Sequence, residues 1–297
     1  MMVIDIHVHT TPKRTMPWPG REDCFATPWE LIEMYDHAGI DKGVLLPCTN
    51  PDNVPVIQSN EEIFGVWERY PDRFIPFCNI DPRQCYNTPE ADLGYMLSYY
   101  KDIGCRGIGE VCCNLYFDDP RVENLFDHVE KVGIPLTFHV ATRDGGMYGL
   151  IDELGLPRFE QQIQKHPDLV WLCHSQPWWS HISGDVNEDN WAGYPNEPVV
   201  EGGRVVELMQ KYPNVIGDLS AGSGYNAVSR DPEFGYWFMH ELQDQLCFGT
   251  DVCAPSNREN VLVNLLNFMN EGLAADKISQ QVYDKITHEN AERILRL

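Results

Sequence analysis

Eight short apolar, β-branched runs recur along this chain with helical patterns between them, and this alternation limits the fold more than any other feature. The runs are Val3–Thr10, Lys42–Cys48, Arg73–Asp81, Cys105–Val111, Ile134–Val140, Leu169–Gln176, Val215–Ala221 and Leu246–Cys253, and they start 29 to 46 residues apart. Strands alternating with helices build βαβ units and hence a parallel sheet. Eight such units in 297 residues are the count of a single (β/α)8 TIM barrel of the α/β class. A doubly wound open sheet is the alternative, but it does not call for eight regular units.

The intervening helices carry their own punctuation. "TPWE" (27–30) is a capping box with proline in the first turn, and Gly39 closes that helix. Asp119-Pro120 opens a second such helix, which stops at Gly133, and Asp231-Pro232 opens a third. Thr88-Pro89 is read as the start of a helix ending at Gly104. One gap is irregular: residues 177–203, after the sixth run, are aromatic and rich in Pro and Gly without a helical period. An insertion of that kind on a βα loop is expected to be a lid or pocket wall. Residues 1–297 are otherwise read as one domain.

The formal net charge of −23 sets the field around such a domain. It repels phosphates and anionic lipid, which argues against nucleic-acid or membrane-surface partners and leaves a small molecule as the expected one. No apolar run approaches the roughly 18 residues of a membrane span. The chain enters a strand at once, with no leader, and its ten cysteines include no CxxC pair. Reduced thiols in a cytoplasmic protein are the expectation.

In a (β/α)8 barrel, function gathers at the C-terminal ends of the strands. The first run, "IDIHVHT", carries His7 and His9, and in a regular strand Asp5 shares their face. Glu110 ends the fourth run, His139 the fifth, His174 the sixth and Asp251 the eighth. Each residue alone has an ordinary structural explanation. Together, four imidazoles and two carboxylates at one barrel mouth suit a divalent ion, with Zn2+ the default and Mn2+ or Fe2+ as alternatives.

HxH on strand one, His on strands five and six and Asp on strand eight resemble the amidohydrolase superfamily. The style of the chain is most similar to its "amidohydrolase 2" branch, which includes aminocarboxymuconate-semialdehyde decarboxylase. The closing "ITHENAERILRL" resembles that branch's last helix. The resemblance implies His7, His9, His139 and Asp251 as metal ligands and His174 as a group that orients or polarises substrate. Glu110 departs from many relatives in the branch, whereas TatD-like hydrolases have a similar "GE" that contacts metal. One ion is favoured, and a second would draw on Glu110 and His174.

The leading reaction is hydrolysis of a small carboxylated ester, lactone or amide, with Asp251 as general base then acid and His174 on the carbonyl oxygen. Arg143, Trp178, Trp179 and Tyr194 are the candidate substrate contacts. Non-oxidative decarboxylation of an aromatic or unsaturated acid is the alternative, since the same ligands serve both. A barrel that only binds ligand is the third reading, but it predicts a broken ligand set. A homodimer is the assembly the resemblance allows, with the aromatic segment 236–242 either at its interface or against the barrel.

Overall fold

The computed structural model describes residues 2–297. Eight barrel strands follow the order of the sequence: β1 (Ile4–Val8), β2 (Lys42–Leu45), β3 (Phe74–Pro76), β4 (Ile108–Val111), β5 (Leu136–Ala141), β6 (Trp171–His174), β7 (Val215–Asp218) and β8 (Leu246–Cys247). All pairings are parallel, running β1-β2-β3 and β4-β5-β6-β7-β8. Two parallel bridges join the arcs, Cys78 to Ile108 and Val8 to Val252. Around the second junction, Phe248 O accepts from Ile6 N, and His7 O from Asp251 N. The chain is therefore a TIM barrel. A two-residue strand, Leu150–Ile151, pairs outside this ring with the end of β5.

Side-chain alternation sorts the core into two layers. Ile4, Ile6, Val44, Ile75, Leu172 and Ile216 fill the barrel interior, joined by Ala291 and Leu295 of the last helix. Val8, Leu45, Phe138, Trp171 and Val215 face outward into the larger core beneath the helices. There Phe138, Phe159 and Trp171 meet edge-on or tilted with centroids 5.0 to 6.0 Å apart. Such pairs contribute about 0.5–1.5 kcal/mol each beyond their burial.

Helix α1 (Pro28–Ala38) has the expected capping box on Thr27 and Glu30, and Gly39 ends it in the left-handed region. The helices opening at Pro120 and Pro232 also begin as read. The Thr88-Pro89 start is corrected. That helix runs Leu93–Asp102, because the Asp92 side chain accepts from Tyr95 N and makes the better cap. Thr88 instead bonds the carboxylate of Glu90.

Segment 177–203 is corrected as well, since it opens in a short helix, Gln176–Ser180. Trp178 and Trp179 are buried in it, Trp178 edge-on to Phe159 and Trp179 donating to Asp218 O. They are core residues, and none of 177–203 lines the cavity at the barrel mouth.

Candidate metal centre

Two strands depart from regular pairing beside the cavity. On β1, Asp5 pairs with Gly43 and Val8 with Leu45, so β1 takes three steps where β2 takes two. On β4, Ile108 pairs with Leu136 and Val111 with Phe138, again three steps against two. Each is a bulge of one residue, which re-aims the side chains beside it. The β1 bulge overturns the face expected of a regular strand. Asp5 points outward, where Tyr35 on α1 and Thr250 donate to it, while His7 and His9 point inward. The β4 bulge turns Glu110 inward between Ile108 and Val111, which both belong to the outer core. Gly109 makes this possible. At φ +139°, any Cβ there would lie 2.5 Å from Thr137 O.

The imidazoles are fixed from behind by Nδ1. His7 Nδ1 donates to Asp218 Oδ2 at 2.6 Å, His9 Nδ1 to Leu46 O at 2.8 Å and His139 Nδ1 to Val140 O at 2.9 Å. His174 Nδ1 bonds Ser220 Oγ at 2.9 Å. This backing is how metal-ligating histidines are held in one tautomer.

The Nε2 atoms of His7 and His9 lie 3.2 Å apart. With both Nδ1 atoms acting as donors, two lone pairs would face each other there unless a proton or a cation lies between them. Asp251 Oδ1 is 3.7 Å from His7 Nε2 and 3.5 Å from His9 Nε2. Glu110 Oε2 is 3.8 Å from each. His174 Nε2 is 3.9 Å from Glu110 Oε1 and from Asp251 Oδ2. Glu110 Oε1 is buried with no hydrogen-bond partner among the described residues. An orphaned carboxylate oxygen facing imidazole nitrogens fits a divalent cation.

Two sets of donor atoms are close enough to hold an ion, His7–His9–Asp251 and His7–Glu110–His174. His7 belongs to both. His139 lines the same cavity but stands outside both sets, its ring centroid 5.7 Å from that of His174.

The charges are strongly coupled. Burial opposes charge on His7, but Asp218 and then Glu110 and Asp251 raise its pKa well above the ordinary value. His9 is raised despite burial by the Cys48 sulfur and Asp251. Burial lowers His139 to about 4, and burial with the His7 charge lowers His174. Glu110 and Asp251 are held below the usual carboxylate range because the surrounding imidazoles outweigh their burial. The carboxylates around His7 and His9 thus favour positive charge where a cation would sit.

The amidohydrolase family model matches residues 4–297. This chain belongs to the amidohydrolase family. A comparison with curated proteins finds no match. Among solved structures, this amidohydrolase is similar to an uncharacterised TIM-barrel protein from Bordetella bronchiseptica, at 19% identity over 100% of this chain and 99% of that one, TM-score 0.64. A probable 2-pyrone-4,6-dicarboxylic acid hydrolase from Acinetobacter baumannii, with citric acid bound, aligns over 100% of both chains at 13% identity and TM-score 0.64. A 5-carboxyvanillate decarboxylase from Novosphingobium aromaticivorans, with bound manganese, aligns over 90% of this chain and 80% of that one at 18% identity and TM-score 0.53.

The cavity at the mouth of this amidohydrolase measures about 420 Å³. His9, Glu110, His139, His174 and Asp251 line it, but the expected substrate contacts do not. Arg143 is exposed on the loop after β5, and its side chain makes no ion pair among the described residues. Tyr194 is half-exposed and accepts from Gln176 Nε2. The walls come instead from Trp18, Arg21, Asp23 and Phe25 on the loop after β1, and from Tyr148, whose ring lies 4.4 Å from that of His139. Sequence inspection singled out none of these, nor Asp218. Asp218 did leave a signal, as the polar last residue of β7. Among the described residues no helix is long and apolar enough to cross a membrane.

Proposed function

We propose that the protein is a metal-dependent hydrolase of a small, carboxylated ester, lactone or amide. The convergence of four backed imidazoles and two carboxylates at one barrel mouth carries this reading. His7, His9, His139 and Asp251 are the residues that would hold one ion; were a second bound, Glu110 and His174 would hold it, and His174 would then give up the carbonyl. Zinc suits this mixture of imidazole and carboxylate best, with manganese or iron(II) as alternatives. A divalent ion supplies Lewis-acid polarisation of a carbonyl oxygen and brings the pKa of a water towards 7.

The protein's own groups do the rest. The Asp251 side chain, ionised and 29% exposed, is open enough to take a proton from the attacking water and return it to the leaving group. Ser220 Oγ can donate to His174 Nδ1, which leaves His174 Nε2–H to donate to the carbonyl oxygen as charge grows on it.

Non-oxidative decarboxylation of a small aromatic acid is the second reading, favoured by the similar 5-carboxyvanillate decarboxylase. Product analysis in ¹⁸O-water, over a panel of carboxylated lactones, esters, amides and hydroxybenzoates, separates the two. Label in the product without CO2 supports hydrolysis. CO2 release without net water addition replaces it with the second reading.

A further inference from the structure

We infer that Arg21 is a specificity-determining residue that binds a substrate carboxylate remote from the reacting carbonyl. This rests on the reading of the substrate as an acid. Among the described residues Arg21 is the sole lysine or arginine lining the mouth cavity, which it shares with the carboxylates of Asp23, Glu110 and Asp251. In a chain of net charge −23, an anion entering past those acids needs a compensating cation at the rim.

The guanidinium is available for that task. Arg83, Arg121, Arg158 and Arg204 each rest on a carboxylate of the chain. Arg21 has no ion pair among the described residues, and Asp23, its nearest acid in sequence, is engaged by Ser256 Oγ. Nor does Arg21 hang on a loose tail. Its N–H donates to Trp18 O, Trp18 N–H donates to Asp23 O, and Gly20 at φ +74° allows the turn. Trp18 packs on Phe25 with centroids 4.9 Å apart, and Phe25 lies 6.4 Å from the ring of His9. The turn is thereby anchored to the ligand-bearing end of β1. A planar fork beside an aromatic wall suits a flat acid, with the guanidinium taking its carboxylate through two parallel hydrogen bonds.

Calorimetric titration of the zinc-loaded protein with benzoate and with isophthalate tests this. The wild type should bind isophthalate about tenfold or more tightly than benzoate, the gain of one charge-assisted pair. Arg21→Gln should lose that preference with zinc content unchanged, and Arg21→Lys should recover only part of it. Arg143→Gln, outside the cavity, should behave as the wild type. A wild type without the preference, or an Arg21→Gln protein that keeps it, overturns the inference. Failure of the wild type to retain zinc counts instead against the hydrolase reading.

Discussion

Asp218 at the end of β7 accepts a 2.6 Å hydrogen bond from His7 Nδ1, leaving His7 Nε2 3.2 Å from His9 Nε2. A residue outside the cavity lining thus fixes the one imidazole common to both donor sets.

Asp218→Ala should therefore lower metal affinity by about 10–100-fold, the usual cost of removing such a backing group. Competition against a chelator measures it, with circular dichroism as the check on folding. Unchanged affinity in a folded variant would mean that His7 does not need its tautomer fixed.

Metal binding should strengthen as pH rises. His7 and His9 hold protons well above the ordinary histidine pKa in the metal-free protein, and a ligand must be neutral. Lowering pH keeps both protonated and weakens binding; raising it through their folded pKa values removes that competition. Protons should be released as the ion binds near neutral pH, read by titration in buffers of differing ionisation enthalpy. Release of none would contradict the protonation assigned to His7 and His9.

Gly109→Ala should destabilise the fold by about 3 kcal/mol, because its Cβ would collide with Thr137 O at a positive φ. It should also cost metal affinity by displacing Glu110. Gly20→Ala, with open space around it, should cost about 1 kcal/mol and leave metal binding alone. Denaturant titration of both variants makes the comparison, and equal losses would count against the β4 bulge as the device that aims Glu110.

Trp178→Ala should cost about 3–5 kcal/mol, the range for emptying a packed aromatic site. Tyr194→Phe should stay within about 0.5 kcal/mol, as for most surface changes. If Trp178→Ala instead left stability unchanged and weakened ligand binding, the tryptophan would belong to the cavity after all.

The barrel was legible because each βα unit carries local signals, such as the Thr27 capping box and the Asp119-Pro120 start. His7, His9, Glu110, His139, His174 and Asp251 were legible because strand ends converge in this fold. The direction of Asp5 was not. A single extra residue on β1 reverses alternation, and nothing in "IDIHVHT" marks where that residue falls. Trp178 misled because apolar residues after a strand can roof a cavity or plug a core, and only the short helix from Gln176 decides between them. Arg21 and Tyr148 stayed hidden because the loops that carry them are placed by tertiary contacts with no period of their own.

The most direct test is the metal content of the purified protein by plasma mass spectrometry, beside a His7→Ala/His9→Ala variant. About one divalent ion per chain, or two if Glu110 and His174 also ligate, should be present and should vanish in the variant. No ion in the wild type, even after reloading with zinc or manganese, would contradict the account and leave the buried cluster a hydrogen-bonded network.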